Sequence, residues 1–311
     1  MMMTRRRLVA SLSGLLGAST VPQWLRPVTA ATVDAAFGGL RPSARQPVLF
    51  VGHGSPMNVL PGNAWRSGWE ELGQQLQARP EPPQLILCVS AHWLTQGGWY
   101  LTGMAQPRTI HDFSGFPQAL YAQQYPAPGA PAAARALAAD LHEPARHGQP
   151  LGLDDREWGL DHGAWSVLLP MFPLARIPVV QLSMDYARPL AEHYALGGQL
   201  RRWRERGVMI VGSGNIVHNL RRVRRDASAD QAYDWAAHFD QHVQQRIARA
   251  ELGALPQVPA LGELMRLAHP SHEHYLPLLY AAGAAHADET PRFFNQGFQA
   301  ASISMQSIIW G

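Results

Sequence analysis

Short, nearly unbroken apolar runs punctuate this chain. Residues 47–51 and 84–90 carry Val, Leu, Ile and Phe at most positions, are too brief for core helices and are bounded by turn residues. They predict strands buried on both faces. Between them, residues 65–78 place Trp and Leu among polar residues at helical spacing, so a strand, a helix and a strand follow one another. The alternation continues with an Ala-rich helix at 131–142, a helix at 163–172, a strand at 178–183 and an amphipathic helix at 189–205. A strand at 208–212 then enters a predicted helix carrying His218, and a long helix at 233–252 follows. Apolar stretches at 278–284 and 302–309 close the chain. This pattern predicts an α/β fold: a single domain with a central, mostly parallel sheet covered by helices on both faces.

In such sheets functional groups gather at the carboxyl ends of the strands, where loops from distant parts of the sequence converge. Four of the 14 histidines stand just beyond apolar runs or in a turn-rich block: His53, His92, His218 and His274. Small residues surround the first three, with Gly52 and Gly54 around His53, Ser90 and Ala91 before His92, and Gly212, Ser213 and Gly214 before His218. Glycines let backbone and ligand approach closely, and imidazole is the commonest ligand for a first-row divalent metal. The four therefore form a candidate metal set, with Glu273, His272 and His269 competing for the place of His274. His142, His147, His193, His238, His242 and His286 lie in polar or Ala-rich helical contexts and read as surface or satisfied core residues, with His193 on a helix surface.

Composition narrows the picture. A length of 311 residues with 46% hydrophobic content suffices for a sizeable core, and no low-complexity linker or internal repeat divides it. The lone Cys88 sits in a predicted buried strand, so no internal disulfide forms. The net charge of +3 arises at the N-terminus: four basic residues and no acidic one lie in residues 1–31, which leaves the rest near neutral. Arg221, Arg222, Arg224 and Arg225 make the one local basic run, read as a solvated helix face, and nucleic-acid binding has no other support. Arg5, Arg6 and Arg7, a mildly apolar stretch at 8–21 and small residues at 28–31 predict a twin-arginine-like signal peptide over residues 1–31. The apolar stretch is too short to span a bilayer, so stable membrane insertion is not expected and the predicted location is periplasmic. Residues 32–46 read as a linker and residues 47–311 as the catalytic domain.

Six blocks then resemble a known family in their order along the chain. They are His-Gly-Ser-Pro-Met-Asn from His53, Ser-Ala-His-Trp around His92, Thr-Ile-His-Asp-Phe-Ser-Gly-Phe-Pro around His111, Trp-Gly-Leu-Asp-His-Gly-Ala-Trp around His162, Gly-Ser-Gly-Asn-Ile-Val-His-Asn-Leu around His218, and Glu-His-Tyr-Leu-Pro-Leu-Leu-Tyr around His274. They resemble the class III extradiol ring-cleaving dioxygenases, in particular the DOPA 4,5-dioxygenase subgroup, from about Pro47 to the C-terminus. The resemblance implies a non-haem metal, Fe(II) for activity with Zn(II) able to occupy the site, and a catechol substrate cleaved with O₂. It implies His53 and His92 as metal ligands and leaves His274 or Glu273 for the third position. His218 is a ligand or the acid/base that takes a catechol proton, while His162 and His111 are the further catalytic candidates, each beside an Asp that could orient it. Phe113, Phe116, Trp93, Trp165 and Tyr275 are expected to wall a pocket for an aromatic ring.

Two other readings fit the same histidines. One is a zinc-dependent hydrolase, which works without O₂; the other is a non-catalytic periplasmic metal-binding protein, which turns over no catechol. A serine-hydrolase elbow is absent, because Pro56 stands where that motif requires Gly.

Overall fold

A computed structural model describes residues 37–144 and 149–311. The strands are β1 (Val48–Gly52), β2 (Leu85–Thr95), β3 (Tyr100–Thr102), β4 (Gly152–Asp154), β5 (Val179–Asp185), β6 (Val208–Gly214), β7 (Arg292–Phe294), β8 (Phe298–Gln299), β9 (Ile303–Ser304) and β10 (Ser307–Trp310). Eight of them form one sheet in the order β4-β3-β5-β2-β6-β1-β10-β7, and β8 and β9 pair separately. The four strands predicted from apolar runs make its parallel centre, with Val48 opposite Ile210, Leu85 opposite Val208 and Ile86 opposite Val179. β3 and β10 run antiparallel to their inner neighbours.

Successive side chains of a strand point to opposite faces, so each central strand feeds two cores. Val48, Phe50, Leu85, Leu87, Val180, Leu182 and Ile210 pack with the helices Pro131–Asp140, Leu190–Gln199, Asp234–Ala248 and Leu276–Ala284. Leu49, Val51, Ile86, Cys88, Val179 and Val211 pack with Ala64–Gln77 and His162–Met171 on the other side. The helices Leu190–Gln199 and Leu276–Ala284 approach closely because Gly197 lacks a side chain; a Cβ there would lie 2.5 Å from the Tyr280 carbonyl. Residues 37–46, read as linker, lie against this body, with Leu40 buried and the Phe37 ring edge-on to Trp203 at 4.9 Å. The candidate signal peptide and His147 lie outside the described residues.

Several expectations differ from the structure. β2 continues through His92 to Thr95 after a register shift between Val89 and Leu94, which turns the His92 side chain toward the site from within a strand. The helix read over 189–205 breaks at Leu200 into Leu190–Gln199 and a short turn, Arg201–Arg204. His218 is not on a helix: the chain leaves β6 extended, bridges His218 to Ile303, and makes only a 3-10 turn at Leu220–Arg222. Arg221, Arg222, Arg224 and Arg225 are accordingly exposed on a loop and not on a helix face. His193 is fully buried, its Nδ1 2.7 Å from the Tyr280 hydroxyl, which also accepts a hydrogen bond from Trp99 Nε1 at 2.6 Å. Burial lowers its pKa to about 4, so it is a neutral core group and not a surface one. Strands β3, β4, β7 and β8 escaped prediction because each has two or three residues, too few to show a period of two.

Candidate metal centre and substrate cavity

Five histidines converge at the carboxyl ends of the parallel strands. His53 follows β1 directly, its turn completed by Gly54 at φ 57°, a backbone conformation that side chains disfavour. His92 comes from β2, His162 opens the helix His162–Met171, His218 follows β6, and His274 precedes the helix Leu276–Ala284. Gly163 lets His92 approach the start of the helix His162–Met171, since a Cβ there would lie 2.8 Å from His92 Cδ2. All five line a cavity of about 250 Å³ whose other walls include Phe113, Phe116, Leu220 and Ile303.

The hydrogen bonds around these rings decide which nitrogen of each faces inward. Ser213 Oγ donates to the Gly163 carbonyl at 2.5 Å, so its lone pairs accept from His53 Nδ1 at 3.0 Å. His53 Nε2 is thereby left with its lone pair toward the cluster. His274 Nδ1 donates to Glu273 Oε1 at 3.1 Å, which likewise frees its Nε2. This partnership makes Glu273 an orienting carboxylate, held also by Ser271 Oγ at 3.1 Å. His92 Nδ1 faces the Asp112 carboxylate at 3.6 Å, and its Nε2 lies 3.2 Å from His53 Nε2. At that range the two Nε2 atoms share either a proton, donated by His92 to the His53 lone pair, or a cation lying between them. Two imidazole nitrogens on one ion at about 2.1 Å and 90–110° sit about 3.0–3.4 Å apart, which matches.

The ring positions extend this test to the third ligand. His53, His92 and His274 form a near-equilateral triangle, with centroids 5.1 Å, 5.1 Å and 5.2 Å apart. Three imidazoles on one ion have centroids roughly 4.6–5.3 Å apart for the same bond length and angles. The groupings whose donor atoms lie within 4.8 Å of one another among the described residues are different ones: His53, His92 and His162, and His218, Glu273 and His274. Ring planes argue against the second as one coordination sphere. His218 stacks on His274 at 3.4 Å and 6°, and an ion in the plane of one ring is displaced by a ring thickness from the plane of the other. In the first grouping, His162 stands only 3.9 Å from His92 by centroid, nearer than co-ligation places two rings.

Electrostatics favour cation binding. Burial, then the neighbouring imidazoles, holds the pKa values of His53, His92 and His274 well below the usual histidine range. His218 is lowered to about 4 by burial and by His162. These groups are neutral at pH 7, the form in which imidazole ligates metals. Burial acts to raise Asp112, but hydrogen bonds and charge from His162, with charge from His92, outweigh it and hold the carboxyl at about 2. Asp112 is therefore ionised: Oδ2 lies 2.9 Å from His162 Nδ1, and Oδ1 accepts from the His162 backbone N–H at 2.9 Å.

Neither sequence-adjacent Asp–His pairing forms. Asp112 orients His162 rather than its neighbour His111, because adjacent side chains point apart. Asp161 touches no imidazole; it caps the helix His162–Met171 and accepts from Ser90 Oγ at 2.6 Å and from Gln181. His111 does not line the cavity: its Nε2 is 3.0 Å from the Gln123 carbonyl, and its ring lies behind Phe113 and Trp165. Of the expected aromatic wall, Phe113 and Phe116 are in place. Trp93 stacks on Trp158 beside a separate groove, Trp165 donates to the Ile110 carbonyl, and Tyr275 donates to the Leu255 carbonyl within the core. Ser213 escaped sequence reasoning, although it stands within the glycine-rich run that singled out His218.

Buried neutral imidazoles at the carboxyl ends of parallel strands, under an apolar ring-sized cavity, make a candidate metal site in an α/β fold. Residues 47–308 match the family described as the catalytic LigB subunit of aromatic ring-opening dioxygenase. The chain is similar to a 4,5-DOPA dioxygenase extradiol of Escherichia coli (strain K12), 45% identical over 270 residues that cover 86% of this chain and 95% of the relative. It is 34% identical to a 4,5-DOPA dioxygenase extradiol of Beta vulgaris over 242 residues, 76% of this chain and 86% of that one. A crystal structure of an uncharacterized protein from Escherichia coli K12 matches it with a TM-score of 0.71 at 39% identity, covering 86% of this chain and all of the other. The chain belongs to the class III extradiol dioxygenase family, in its DOPA dioxygenase-like branch, and is an aromatic ring-opening oxygenase.

Proposed function

We propose that the enzyme opens the ring of a catechol, DOPA or a close relative, beside its paired hydroxyls, using non-haem Fe(II) and O₂. The observation that carries this reading is the 3.2 Å approach of the His53 and His92 Nε2 atoms, with Ser213 at His53 Nδ1 and the Asp112 carboxylate beside His92 Nδ1. Relatives named as 4,5-DOPA dioxygenases support the substrate class. His53, His92 and His274 would hold the ion through Nε2, with Ser213, Asp112 and Glu273 behind them. Bound there, Fe(II) would supply redox activity toward O₂ and open coordination positions, whereas Zn(II) fits the same nitrogens without redox chemistry.

The protein's own groups do the rest. His218, neutral at pH 7 and stacked on His274, accepts a proton from a catechol hydroxyl. His162 is the second proton carrier, its ring held toward the cavity by Asp112 at Nδ1. Phe113, Phe116, Leu220 and Ile303 enclose the ring and exclude water, and His111 supports Phe113 from behind. His218→Ala should lower kcat by roughly 10²–10⁴ while metal content is kept, since its role is proton transfer. Metal analysis beside oxygen uptake reads both, and a variant that loses its metal would instead make His218 a ligand.

We also propose that residues 1–31 are a twin-arginine export signal, that residues 47–311 with the docked segment 37–46 are the catalytic domain, and that the enzyme works in the periplasm. The support is the Arg5, Arg6, Arg7 run ahead of the apolar stretch. Among the described residues no helix is long and apolar enough to cross a membrane. Replacing all three arginines by lysine keeps the charge and should leave the protein in the cytoplasm on fractionation. Undiminished periplasmic protein would overturn the proposal.

A further inference from the structure

The cavity over the histidines opens outward into a second one. Ser55, Phe116, Leu220 and Ile303 line both, and the outer space, about 610 Å³, adds Trp65, Val223, Phe298, Gln299 and Arg225 to its walls. The outer walls are apolar apart from Ser55, Gln299 and Arg225. Gln299 is engaged in holding the loop after His53: its Oε1 accepts from the Ser55 N–H at 2.7 Å and its Nε2 donates to Asn58 at 3.0 Å. Arg225 is the one charged side chain among the lining residues, and no carboxylate of either set faces it. Its guanidinium makes no hydrogen bond or ion pair with any described residue. Arg221 and Arg222, exposed on the same loop, add positive potential beside it.

A free guanidinium at the open end of an apolar corridor, with the metal site at the closed end, suits a two-ended ligand. We propose that Arg225 is a specificity-determining residue: it binds the carboxylate of a side chain on the aromatic substrate while the ring lies against the histidines. The inference rests on the ring-opening reading and narrows it to catechols bearing an acidic substituent. Leu220, exposed yet shared by both cavities, divides ring from side chain.

The test compares 3-(3,4-dihydroxyphenyl)propanoate with 4-propylcatechol, which lacks the charge. Calorimetry under anaerobic conditions reads binding to the metal-loaded protein without turnover. The acid should bind roughly five- to tenfold more tightly, a preference that shrinks at high salt because Arg225 is solvent-accessible. Arg225→Gln should abolish the preference, and Arg225→Lys should restore part of it. A preference that is absent, or unchanged in Arg225→Gln, overturns the assignment. If the Arg225-dependent preference appears but neither ring is opened on admitting O₂, the ring-opening reading fails and the carboxylate site stands. If neither catechol binds, both fail.

Discussion

His53→Ala and His92→Ala should each reduce turnover by well over about 100-fold and strip the protein of its metal, while circular dichroism shows the fold retained. The size of the effect follows from the 3.2 Å contact between their Nε2 atoms, since an ion held between them loses one ligand in either variant. Their small effect on folding follows from their placement. Both rings are neutral and stand at strand ends, outside the two hydrophobic cores. The opposite pattern is expected for His193→Ala, which removes a buried partner of Tyr280 that does not line the cavity. That variant should keep its metal and lose about 2–4 kcal/mol of stability in a denaturant titration. A His53→Ala or His92→Ala protein with stoichiometric metal would remove that residue from the site.

How much of this was legible beforehand depends on whether a feature is local. The central strands could be read because a strand buried on both faces is apolar at successive positions, and β1, β2, β5 and β6 all are. His53, His92 and His274 could be read because their surroundings are small or turn-forming residues near strand ends. What stayed hidden is relational. No local signal tells that Asp112 reaches His162 across fifty residues, that Ser213 spends its proton on Gly163, or that the extended segment after β6 pairs His218 with Ile303. His193 failed for a related reason: its helix looks amphipathic, yet the helices Leu190–Gln199 and Leu276–Ala284 meet so closely at Gly197 and Gly283 that a polar ring between them is enclosed. The choice between Glu273 and His274 was likewise open in the sequence. The hydrogen bond between them separates their roles, one orienting and one facing the cluster.

The second large effect is metal exchange, and it tests the central claim most directly. Protein prepared anaerobically and loaded with Fe(II) should consume one O₂ per ring and convert a catechol such as DOPA to a yellow ring-opened semialdehyde. The same protein loaded with Zn(II) should bind the catechol with similar affinity, because the nitrogens and the apolar cavity are unchanged, yet show no oxygen uptake, because zinc has no redox chemistry. Oxygen-electrode traces of the two forms side by side decide the matter. Uptake by the Fe(II) form alone is the predicted result; a zinc form equally active, or hydrolysis that needs neither catechol nor O₂, would contradict the account.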